Sequence, residues 1–364
     1  MTGRSPGLIG SMPAPASAAP GSVAYRQATR KKVGILAGFT ALLLLSLAID
    51  VASGPAGYSV WEVLKTLFAP DSVPVGQKII VWTLRFPVAL MAIVTGAALA
   101  IAGAQMQTIL NNPLASPFTL GLSAAAGFGA ALAIVFGIAI IPFAGILIVP
   151  INAFVFAMLT ALLIFGVSRM RGGGVETVVL LGIALVFTFN AALGLLQYLA
   201  SEQALQEVVF WTLGSLAKAT WTKVGITAAV VVLVIPYFVK NAWALTALRL
   251  GEDRAAAMGI DVTRLRLLVL MAASLLAAVP VAFVGTIGFV GLVGPHVARL
   301  LVGEDQRFFL PLSALAGALL LSLTSIISKS IVPGVLIPIG IITALVGVPF
   351  FLALILTNRS GNWK

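Results

Sequence analysis

Cysteine is absent from the 364 residues, and histidine occurs once. Without thiols there is no disulfide framework, thiolate metal centre or cysteine nucleophile, and cysteine usage says nothing about redox compartment. The lone His296 has no histidine, cysteine or carboxylate at ligand spacing, and one imidazole does not make a metal site, so it reads as a structural residue at a helix start. Charge is scarce too: 9% of residues are Asp, Glu, Lys or Arg, against about a quarter in soluble domains. Apolar residues fill the gap, at 60% of the chain with a mean hydropathy of +1.12. A water-soluble fold is excluded.

The 11 acidic residues are Asp50, Glu62, Asp71, Glu176, Glu202, Glu207, Glu252, Asp253, Asp261, Glu304 and Asp305. Each falls at a helix end or in a loop, and none near the middle of a span. Proton-coupled carriers keep an ionisable group inside the membrane because something there must bind the proton, so that class loses its basis here. A sodium-coupled carrier working through carbonyls and hydroxyls stays open, although the two halves show no repeat with matched broken helices. No G-x-x-x-x-G-K-[ST] loop occurs, so any ATP must be hydrolysed by a partner. A membrane-embedded enzyme would need catalytic groups converging at one depth, and too few are present. The chain reads as neither an enzyme nor a cofactor protein.

Crossing a bilayer takes roughly 20 apolar residues. Runs near 33–51, 88–108, 119–140, 143–168, 175–200, 222–240, 265–287, 308–328 and 338–357 qualify. A tenth, short piece is expected at 295–302, where Gly294-Pro295 would break the preceding helix. Arg26, Arg30, Lys31 and Lys32 precede the first run, which is long for a signal peptide and has no small-x-small cleavage site after it, so it reads as an anchored helix. The Pro, Ala, Gly and Ser composition before it marks a disordered basic tail over 1–32. One transmembrane domain over 33–357 and a short tail over 358–364 complete the expected organisation.

The net charge of +11 would suggest nucleic acid in a soluble protein. Here the basic residues sit in short segments between spans, so the lipid bilayer is the expected partner and nucleic acid is not. With ten helices and a cytoplasmic amino terminus, 16 of the 22 basic residues lie inside, leaving Lys65, Lys78, Arg85, Lys218, Lys223 and Lys329 outside. That split follows the positive-inside tendency and places both termini in the cytoplasm.

Four blocks then stand out. The first runs from Leu84-Arg85-Phe86-Pro87 through the Gly96–Gln107 stretch to Asn111-Asn112-Pro113-Leu114-Ala115-Ser116-Pro117. Gly96 and Gly103 share one helix face and allow a close helix approach, and Asn111–Pro117 has turn composition. Phe210–Leu216 is the second block, and Leu250–Ile260 the third, with Ala255–Met258 favouring a short helix between Gly251 and Gly259. The fourth is Gly285–Arg299, followed by Pro338-Ile339-Gly340 and Gly347-Val348-Pro349.

In this order and spacing the blocks resemble the FecCD-type permeases, membrane subunits of ABC importers for iron-siderophores, haem and cobalamin. The resemblance covers about 33–357. It implies an all-α membrane protein of the type II ABC importer permease fold in a bacterial inner membrane, paired with an identical second chain so that the pathway follows the dimer interface. Two ATPase subunits inside and a substrate-binding protein outside are implied partners, with an iron-siderophore chelate as cargo and haem or cobalamin as the alternatives. The segment 243–266 would hold the coupling helix that docks on the ATPase, carried by Leu250, Gly251, Glu252, Arg254, Ala255 and Gly259. A solvated loop is the plain alternative. Gly172, Gly173, Gly174, Val175, Glu176 and Thr177 match the cytoplasmic gate, and a flexible link explains three glycines equally well. Arg85 and Lys329 fall on positions that pair with glutamates of the binding protein. Val88, Ser325 and Leu336 depart from the family pattern there, replacing an arginine, an aspartate and a glutamate. Gly96, Gly103, Gln107, Asn112 and Pro113 are expected to serve helix packing or the pathway.

Overall fold

The computed structural model describes residues 20–141, 145–170, 174–332 and 334–357. Among them every regular element is helical: α1 (Pro20–Ala52), α2 (Val60–Phe68), α3 (Val75–Ile79), which continues through a π-helical turn at Ile80–Arg85 into α4 (Phe86–Ile109), α5 (Leu122–Phe136), α6 (Ile148–Met170), α7 (Val175–Leu199), α8 (Glu202–Thr212), α9 (Trp221–Lys240), α10 (Ala242–Leu248), α11 (Glu252–Ala257), α12 (Val262–Val284), α13 (Val290–Val302), α14 (Gln306–Ser330) and α15 (Ile339–Thr357). Seven helices are long and apolar enough to cross a membrane, and three shorter apolar ones, α5, α13 and α15, bring the described bundle to the expected ten.

Polar residues set the helix boundaries. The first N–H groups of a helix have no partner within it, and oxygen-bearing side chains supply one. Asp261 accepts from the Arg264 N–H at 2.9 Å to open α12, and Asp305 accepts from the Arg307 N–H at 3.1 Å to open α14. Ser59 and Glu62 form a reciprocal capping box on α2. Gly121 and Gly137, both left-handed, confine α5 to a shorter helix than the expected 119–140.

Two expectations need correction. Residues 20–32 are helical rather than disordered, because α1 continues from Pro20 through residues such as Ala, Gln, Arg and Lys that favour helix, and Lys32 stacks on the Phe308 ring. The helix break lies at 285–289, not at Gly294-Pro295. Gly285 and Phe289 carry φ of 78° and 66°, whereas Pro295 sits inside α13 and places His296 within the helix rather than at its start.

The core forms around α4, which packs against α14, α13, α12 and α9. Two glycines of α4 make this possible. A Cβ on Gly96 would lie 2.4 Å from the Gly317 carbonyl oxygen of α14, and one on Gly103 would lie 1.8 Å from that of Gly291 on α13. Small residues let backbones touch where lipid gives helices no hydrophobic reason to associate. α7, by contrast, is the most lipid-like surface, with only 11% of its apolar window buried.

Candidate functional site

The feature that stands apart from the bundle is α11. Gly251 and Gly259, at φ 114° and 81°, bound the helix on either side in backbone conformations that a side chain would strain. Ala255 alone is fully buried; Glu252, Asp253, Arg254, Ala256 and Ala257 are exposed, with Leu250 and Met258 exposed beside them. The expected short helix is therefore present, with Ala255 packed inward and the other side chains presented outward. The rest of 243–266 is ordered too, since α10 precedes α11 and the last residues already belong to α12.

Behind α11 lies a polar network that sequence reasoning did not assemble. Glu304, in the short link between α13 and α14, accepts from Arg249 Nε at 2.9 Å and Arg299 Nε at 2.9 Å, and also pairs with the Arg249 terminal nitrogen. Arg249 donates further to Asn111 Oδ1 at 2.7 Å, and Arg299 to Gln107 Oε1 at 2.9 Å. Gln107 Nε2 in turn reaches the Gly291 carbonyl at 3.4 Å. Burial pushes the Glu304 carboxyl up, but the hydrogen bonds and charge of Arg249, then of Arg299, outweigh it and hold the group below the usual carboxylate range. A second anchor joins Glu252 of α11 to the buried Arg266, whose Nε donates to the Ile109 carbonyl at 3.1 Å. Gln306 completes the layer by bridging Gln105 and Thr108, each at 3.0 Å. The readable signal was six glutamine or arginine side chains near the ends of otherwise apolar helices, but their convergence is a tertiary fact.

Asn112 and Pro113 lie in the turn after α4. The Asn112 side chain caps the turn by accepting from the Leu114 N–H at 2.9 Å, and neighbouring Asn111 takes a positive φ of 45°. At the start of α7, Gly174 is the N-cap and Val175, Glu176 and Thr177 form the first turn. Gly172 and Gly173 fall outside the described residues.

Arg85 and Lys329 lie at the opposite end, and neither is an open rim charge. Arg85 is 8% exposed and donates to the Val51 and Ala52 carbonyls at 3.3 and 2.8 Å, with Tyr58 under its guanidinium. Lys329 pairs at 2.6 Å with the fully buried Asp50 of α1, which also accepts from Ser325 at 3.0 Å. The Ser325 departure thus has a physical counterpart: a carboxylate from another helix fills the space beside the lysine. On that end Lys65 and Lys218 are exposed, while Lys78 pairs with Asp71.

The second block meets the edge of the fourth and the Pro338-Ile339-Gly340 segment nearby. The Ser215 N–H donates to the Val284 carbonyl at 2.7 Å, and the Ile339 and Gly340 N–H groups donate to the Gly214 and Leu213 carbonyls at 3.0 Å. Interrupted helices at membrane depth must satisfy their freed backbone groups within the protein, and these three interruptions do so for one another. A cavity of about 520 Å³ opens beside the junction, with Glu207, Trp211, Lys218, Phe283 and Pro338 in its wall.

Comparison with known proteins agrees with this architecture. A model of the FecCD transport family matches residues 42–357. The hemin transport system permease protein HmuU of Yersinia pestis is 33% identical over 89% of this chain and 96% of its own. The vitamin B12 import system permease protein BtuC of Vibrio cholerae is 36% identical over 78% of this chain and 84% of its own. Among solved structures, an inward-facing metal-chelate type ABC transporter superposes with a TM-score of 0.78 at 32% identity, covering 89% of this chain and 99% of that one. An all-helical permease of this kind is a transport subunit rather than an enzyme, and it implies an ATPase subunit and a partner permease. The chain belongs to the FecCD transport family of ABC importer permeases.

Proposed function

We propose that this permease translocates an iron(III)-siderophore chelate by alternating access along the interface of two identical chains, driven by two ATPase subunits on the α11 side and fed by a binding protein on the other. The observation that carries the reading is α11: a rigid, exposed short helix whose apolar neighbours Leu250 and Met258 are 59% and 43% exposed and call for a partner surface. Such a helix passes nucleotide-driven closure on as a rigid-body displacement that a loop would absorb. The basic-residue split supports assigning the α11 end to the cytoplasm, with the 172–177 link as its gate.

Cargo selectivity rests with the binding protein in this reading, because the interior offers no metal-ligand cluster among the described residues. Haem and cobalamin remain alternative cargoes, as relatives named for hemin and vitamin B12 indicate. Docking through Arg85 and Lys329 would require both side chains to leave buried partners, so the exposed Lys65 and Lys218 become the first rim charges to test. The test is ATP-driven accumulation of radiolabelled ferric siderophore in vesicles holding permease, ATPase and binding protein. Uptake of haem or cobalamin in its place would overturn the cargo assignment, and accumulation without ATPase would overturn the mechanism.

A further inference from the structure

The network behind α11 has a composition that packing alone does not require. One carboxylate, Glu304, serves two guanidiniums, Arg249 and Arg299, which stand close enough to repel each other. Arg249 lies two residues before Gly251, at the entrance to α11, while Arg299 lies in the last turn of α13. From Arg299 the chain of hydrogen bonds continues to Gln107 on α4 and back to Gly291, the residue on which Gly103 of α4 rests. Arg249 also fastens the turn at Asn111 through its third nitrogen.

We propose that Glu304 is a positioning residue for transport: it clamps the entrance of α11 to α13 and α4, so that a displacement of α11 moves these two core helices with it. This inference rests on the reading of α11 as the ATPase-coupling helix. Removing the charge leaves two guanidiniums in mutual repulsion, which would part, so that α11 is held to the bundle by the Glu252–Arg266 pair and Ala255 without its tie to α13.

Glu304→Gln keeps the shape and loses the charge. In vesicles containing the full complex, solute accumulated per ATP hydrolysed is expected to fall about tenfold, a coupling loss of about 1.4 kcal/mol, while ATP hydrolysis persists. Glu304→Asp should recover much of it. Arg249→Lys, which keeps the charge but cannot hold Glu304 and Asn111 together, should uncouple likewise and serves if the Gln variant does not fold. Because the chain has no cysteine, labels introduced at 114 and 257 report the α4-turn to α11 distance in the permease–ATPase complex directly. That distance should hold constant on ATP binding in the native protein and change in Glu304→Gln. Wild-type uptake per ATP in both variants, or a proportional fall of uptake and hydrolysis with lost folded protein, overturns the clamp. An ATPase that does not bind α11 in the native complex overturns the underlying reading instead.

Discussion

Two ionic sites lie at opposite ends of the bundle and are built on different principles. Asp50 and Lys329 form a one-to-one pair, fully and nearly fully buried, between α1 and α14. Glu304 is about a third exposed and shared between two arginines from separate segments. A sealed pair holds two helices in one arrangement, since separating it strands a charge in an apolar surrounding. A shared, half-open carboxylate is partly solvated, so losing it strands less charge, while it ties the entrance of α11 to α13 and α4 as one body. The bundle therefore has a sealed end and a clamped, water-exposed end.

Breaking the sealed pair should give the largest effect. Lys329→Ala leaves Asp50 unpaired and is expected to destabilise the protein by about 3–5 kcal/mol, measurable as a lowered melting temperature in detergent. Replacing both partners together, Asp50→Leu with Lys329→Met, should return most of that loss, because a well-packed apolar pair avoids the desolvation cost. A double variant as unstable as the single one would show the pair to be more than a local lock.

At the clamped end the stability loss should be smaller. Glu304→Gln is expected to cost about 1.5–3 kcal/mol, the range for hydrogen bonds to charged groups, with its main effect on coupling. The pH response sharpens the contrast. Since the folded protein holds the Glu304 carboxyl below its ordinary value near 4.5, the stabilisation is complete above that pH and is lost as pH falls through the lower folded value. The native melting temperature should thus drop more steeply than that of Glu304→Gln under acid conditions, and parallel curves would remove the network as the acid-sensitive element. The smallest effect belongs to the exposed Lys78–Asp71 pair. Lys78→Ala should change stability by less than about 1 kcal/mol, and less still in high salt.

Much of the fold was legible because membrane spans announce themselves by length and apolarity. Helix ends were less so. Pro295 looked like a breaker, yet α13 passes through it, because neighbouring helices can satisfy a missing hydrogen bond in a transmembrane helix. Gly285 and Phe289 break the chain instead, and the positive φ of a phenylalanine has no sequence signature. The short helix between Gly251 and Gly259 was readable from local propensity and its flanking glycines. Glu304 was visible only as one more acidic residue at a helix end, since its partners lie 5 and 55 residues away. Arg85 and Lys329 were read as docking charges from the family resemblance. Burial depends on what other segments bring, here the carbonyls of Val51 and Ala52 and the carboxylate of Asp50.

The seam where α8, α12 and α15 begin or end is stitched by main-chain groups, Ser215 to Val284 and Gly340 to Leu213. Stitches of that kind are blind to most side-chain identities. Tryptophan, phenylalanine or lysine in the adjoining chamber can be exchanged for residues of another size or charge without unpicking the frame. One architecture can in this way accept different side chains around that chamber, and relatives of this chain are named for hemin and for vitamin B12 import.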